Sequence, residues 1–145
     1  METPTSPRWA YRIRLSYRGR VVKLQSAIRL EMIAPPSIHT AGADQEAGAW
    51  FTLKDSQGRA LYRRPMGNPF GGMRCALGAE REFAPISYTS SEGTIEILIP
   101  ELPAADSLTL YASETEGPKA YGRAQSVTTL SLAKIAALAK RKGRN

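Results

Sequence analysis

Residues 8–18 alternate with a period of two. Trp9, Tyr11, Ile13, Leu15 and Tyr17 fall on one side of an extended chain, and Arg8, Arg12, Arg14 and Arg18 fall on the other. Successive side chains of a strand point to opposite faces, so this pattern predicts a strand that packs an apolar face on a core and shows arginines outward.

The rest of the chain reads in the same way. Glycine in Arg18-Gly19-Arg20 takes the positive φ of a tight turn, which makes 9–17 and 21–33 a hairpin. In the returning strand Leu24, Ile28, Leu30 and Met32 share one face and Gln25, Arg29 and Glu31 the other, until Pro35-Pro36 stops the ladder. Further strands are predicted over 49–54, 60–63, 93–99, 107–112 and 124–130, with a weak one over 81–88 whose Pro85 suits an edge. Residues 37–48 read as a polar loop, and the prolines and glycines of 65–78 read as a long loop. Ser131 is a candidate helix N-cap, followed by Leu132, Ile135, Ala136 and Ala139 at helical spacing.

Roughly seven to eight short strands joined by Gly/Pro turns, without helices between them, predict an all-β antiparallel sandwich of immunoglobulin or fibronectin-III type. A small barrel is the alternative, and a short basic C-terminal helix completes the chain. The domain reading is a flexible lead over 1–8, the sandwich over 9–130 and a basic helical tail over 131–145. A length of 145 residues with 42% apolar content suits one substantial core.

A single cysteine, Cys75, excludes an internal disulfide and fits a reducing compartment. No segment approaches the roughly 20 apolar residues of a membrane span, so a cytoplasmic location is expected. The net charge of +7 is concentrated at the two ends of the chain. Arg8, Arg12, Arg14 and Arg18 mark one end, and Lys140, Arg141 and Lys142 the other. Such a balance favours acidic surfaces or phosphates as encounter partners.

Catalytic and metal-binding patterns are sparse. His39 stands near Asp44 and Glu46, but one histidine and one distant cysteine do not supply a zinc set, and two acids are too few for calcium. Cys75 follows Arg74, which lowers a thiol pKa, yet no histidine or second cysteine stands near it in sequence. The glycine-rich stretch around 65–73 matches no phosphate-binding spacing. No catalytic residue, cofactor, metal or small-molecule substrate is therefore expected.

The remaining candidates are surfaces. Met66, Phe70 and Met73 place large apolar groups in the 65–78 loop, where they either bind another protein or fold back over the end of the sandwich. The tail helix, with Leu132 and Ile135 on its apolar side, is below the about 12–15 residues of a self-supporting helix and needs something to dock on. The expected function is a non-enzymatic protein-interaction module, a small subunit or adaptor of a larger assembly, whose partner carries an acidic surface. The alternative is a nucleic-acid-associated protein that holds phosphates through the arginine strand and the basic tail. Against it, Trp9, Tyr11 and Tyr17 point to the core side and are not available to stack on bases.

Overall fold

A computed structural model describes residues 8–38, 48–77, 83–89, 91–114 and 122–142. The order of elements is β1 (Trp9–Arg18), β2 (Val21–Glu31), β3 (Ala49–Lys54), β4 (Ala60–Met66), β5 (Gly71–Leu77), β6 (Phe83–Thr89), β7 (Glu92–Pro100), β8 (Ser107–Ala112), β9 (Gln125–Ser131) and α1 (Leu132–Lys142). Seven strands form two antiparallel sheets, one of three strands in the order β2-β1-β7 and one of four in the order β4-β3-β8-β9. The fold is an all-β sandwich with one C-terminal helix.

The alternation that opens the chain sets the core. Ile13 and Leu15 are fully buried, and Tyr11 and Tyr17 nearly so, against Ile95, Ile97 and Ile99 of the same sheet and Phe51, Leu53, Leu108 and Leu110 of the other. Gly19 turns β1 into β2 at φ +60°, in the left-handed region that glycine enters without steric cost.

In β2 the observed faces differ from the predicted ones. The pairing runs Arg14 with Ser26 but Leu15 with Leu24, so Gln25 is an extra residue. A one-residue bulge reverses which side chains face inward. Leu24 packs against the core, whereas Ile28, predicted on the same face, pairs with Arg12 and is exposed. Arg29, predicted on the face opposite to Ile28, sits across from Tyr11 at the rim of the core and stays 42% exposed.

Similar bulges occur at Leu61 of β4, between the pairs Leu53–Tyr62 and Lys54–Ala60, and at Val127 of β9, between Leu110–Thr128 and Tyr111–Ser126. All three bulged strands lie at sheet edges, where the added twist disfavours pairing with another chain.

The predicted loop over 65–78 is a second correction. β4 continues through Pro65 to Met66, and Gly71–Leu77 forms β5, which pairs with β6 as a two-stranded ribbon apart from both sheets. Pro65, Pro85 and Pro100 are all in edge strands, which explains why they do not interrupt the fold: an edge strand needs hydrogen bonds on one side only.

The tail helix closes the sandwich. β2 and β9 are edges of different sheets that approach each other, and α1 packs on β2 and touches β9. Its predicted apolar side is the side that docks: Ile135 and Ala139 are buried in the common core, with Leu132 and Ala136 packed beside them. The helix start is tied down by the Leu132 amide donating to the Asp106 carbonyl at 3.0 Å, which satisfies one of the unpaired N–H groups of a first turn.

Candidate functional site

Four places concentrate charged or apolar side chains. The first is the outward face of β1. Arg8 pairs with Glu31 at 2.8 Å, Arg12 and Arg14 share Glu96 at 3.4 and 3.9 Å, and Arg18 faces Glu92 at 3.6 Å. These glutamates come from β2 and β7, the strands on either side of β1, so antiparallel register supplies the counter-charges. With Lys23 opposite Ser16, the face carries five cations against three glutamates and is less basic than β1 alone. Exposed pairs of this kind contribute about 0–1 kcal/mol each.

The second is the end of the sandwich near residues 67–70. Phe70 is buried, its ring edge-on to Tyr17 at 5.0 Å between centroids, with the Arg20 guanidinium 4.8 Å over its face. Arg20 also donates to the Ala112 and Ser113 carbonyls, and Asn68 donates to Ser113 and accepts from the Phe70 amide. Tyr17 donates its hydroxyl to the Pro69 carbonyl at 2.7 Å. This network draws the loop back onto the domain: Phe70 is a core residue, and Met66 is partly buried against the same core. Met73 is in β5, and its side chain lies outside the described residues.

The third is the base of α1. Ile135 is wholly buried by the domain and Leu132 is half-buried, so these two candidate anchors are used internally. Below the helix, Arg29 makes a fork onto Glu101, Nε to Oε2 at 2.5 Å and Nη2 to Oε1 at 2.9 Å, and Tyr11 donates its hydroxyl to the same Oε2 at 2.9 Å. The Arg29 guanidinium lies 3.9 Å over the Trp9 ring. Hydrogen bonding from Arg29 holds the Glu101 carboxyl below its ordinary pKa, while burial, reinforced by Glu101, raises that of Tyr11. Among the basic residues of the tail, Lys140 is exposed, and the side chains of Arg141 and Lys142 lie outside the described residues.

The fourth is the outward face of the larger sheet. Trp50 stacks on Tyr111 at 5.2 Å and 21°, Arg63 lies 4.6 Å over Trp50, and Lys54 donates to the Tyr111 hydroxyl at 2.6 Å. Trp50, Thr52, Arg63 and Thr109 are buried although they point away from the inter-sheet core. Residues 35–38 run beside β4: Ile38 donates its amide to the Arg63 carbonyl, Tyr62 and Arg64 donate to the Pro35 and Pro36 carbonyls, and Ser37 accepts from the Arg63 amide. This cluster, together with Arg29–Glu101–Tyr11, escaped the sequence reading because its members are tens of residues apart. The one local signal was a charge in a strand otherwise rich in apolar groups.

Chemistry centred on His39, with Asp44 and Glu46, lies outside the described residues, as does the thiol of Cys75. Among the described residues no group of three histidine, cysteine or acidic side chains gathers as a metal site, and no helix is long and apolar enough to cross a membrane. The class that the fold defines is an antiparallel two-sheet sandwich with a C-terminal helix. Compared with protein-family profiles, characterised proteins and solved structures, the chain matches none.

Proposed function

We propose that the protein is a non-enzymatic interaction module that binds another protein through the end of β2 and the chain that follows it. The observation that supports this reading is the distribution of exposed large apolar side chains: among the described residues four of the five, Ile28, Met32, Ile33 and Ile38, lie between 28 and 38, with Ile33 66% exposed, and the fifth, Val21, stands at the start of β2. Scattered apolar exposure is ordinary on a protein surface, but a run of it along one stretch of chain marks a contact site. The stretch is held in place by the hydrogen bonds of 35–38 to β4, so its groups are presented without a large ordering cost on binding. Arg12 pairs with Ile28 across the ladder and Arg64 contacts Pro36, so a partner with an acidic rim fits.

On this reading the contact is away from Phe70 and Ile135, which the domain buries itself. The phosphate-binding alternative loses weight because Glu31, Glu92 and Glu96 stand among the arginines on which it relies. The test is recovery of crosslinked partners from native cells, after nuclease treatment, by wild-type protein and by Ile33→Asp. A defined protein retained by the first and lost by the second, with the thermal unfolding midpoint unchanged, is the expected result. Equal recovery by both, or recovery that disappears with nuclease, overturns the reading.

A further inference from the structure

A cavity of about 670 Å³ lies between the C-terminal half of α1 and one end of the smaller sheet. One wall is made by Ala136, Ala137 and Ala139, the other by Tyr11, Arg29 and Glu101, and Lys140 stands beside them. The space follows from the sequence: where α1 crosses the polar trio it presents the methyl groups of Ala136, Ala137 and Ala139, which are too short to fill the gap although Ala139 itself is buried. A volume between about 300 and 1,000 Å³, mostly apolar with a few fixed polar groups, is the usual shape of a small-molecule site.

The polar groups define the chemistry. Arg29 is held on two sides, by the Glu101 fork and by the Trp9 ring, so its guanidinium is oriented before any ligand arrives. The fork occupies Nε and Nη2 and leaves Nη1 without a hydrogen-bond partner among the described residues. Lys140 makes no ion pair among the described residues, so the lining carries two cations against one carboxylate. We propose that this cavity binds a small amphipathic monoanion, with an aliphatic body along the alanine wall and a carboxylate between Lys140 and Arg29. The site is separate from the 28–38 contact surface, and either proposal stands without the other.

The probe is dodecanoate, titrated into the full isotope-labelled chain and followed by amide chemical shifts, with dodecylamine as the oppositely charged control. Saturable binding of one dodecanoate per chain is expected, with shifts confined to Arg29, Glu101 and residues 136–140, and with dodecylamine binding at least tenfold more weakly. Lys140→Glu reverses an exposed charge and is expected to weaken dodecanoate roughly tenfold, while Ala137→Trp fills the cavity from an exposed helix position and is expected to abolish binding. If the tryptophan variant does not fold, the charge variant decides by itself. No saturation, equal affinity for the amine, or wild-type affinity in a folded variant overturns the proposal.

Discussion

At the scale of single residues, side chains that look alike in the sequence have unlike roles. Gly93 and Gly67 illustrate this. A Cβ on Gly93 would lie 2.8 Å from the Tyr17 hydroxyl oxygen and 3.0 Å from two ring carbons, whereas a Cβ on Gly67 meets nothing within 4 Å. Tyr17 cannot move aside easily, because it is held by the Pro69 carbonyl and packed on Phe70. Gly93→Ala is therefore expected to lower stability by about 1–3 kcal/mol, the usual range for overpacking, and Gly67→Ala to leave it nearly unchanged. Urea unfolding of the two variants checks the difference, and equal midpoints would contradict it. Phe70 carries a similar lesson. It is an apolar residue among glycines and prolines, which is the composition of an exposed loop, but its ring is a core group through contacts with Tyr17 and Arg20.

At the scale of elements, the sequence located strands better than it assigned their faces. The outward and inward sets of β1 were legible because the strand is regular, and the docking side of α1 was legible because Ile135 and Ala139 are one turn apart. The inward set of β2 was not, since a bulge at Gln25 has no signature in hydropathy yet shifts every residue beyond it. Of the ribbon, β6 was legible as a weak edge strand around Pro85, but β5 was hidden for another reason: proline and glycine are breakers in a central strand but are tolerated at an edge. For α1 the structure makes a quantitative demand. Ile135 has no exposed surface, so Ile135→Ala is expected to cost about 2–5 kcal/mol, while Lys134→Ala, at an exposed position of the same helix, stays within about 0.5 kcal/mol. Denaturant midpoints of the two variants decide whether the helix is part of the cooperative core, and similar midpoints would mean that it is not.

At the scale of the whole molecule, the ionisable groups define a range of pH over which the fold is most stable. Glu101 is held below its ordinary pKa, first by Arg29, and Asp55 is held below its own by the amides of Arg59 and Gln57 at the β3–β4 turn. A depressed carboxyl stabilises the fold above its unfolded pKa, and this contribution disappears as pH falls through the folded one. Tyr11 and Tyr62 are raised by burial, so their contribution is present below about pH 10 and is lost as pH rises through their folded values. A plateau from about pH 5 to 9 is expected, with an acid limb that is shallower in a Glu101→Gln, Asp55→Asn double variant. Thermal midpoints measured from about pH 2 to 9 test this, and an acid limb of unchanged steepness would assign it to other groups. By itself the sequence determined the sandwich class, the opening hairpin and the apolar side of the tail, because periodicity and turn chemistry act within a few residues of chain. Only the tertiary structure decided that the arginines of β1 meet glutamates of its neighbours, that Phe70 and Ile135 belong to the core, and that Arg29, Glu101 and Tyr11 meet beneath a helix of alanines. Each of these depends on register between segments distant in sequence, and one bulged residue is enough to change it.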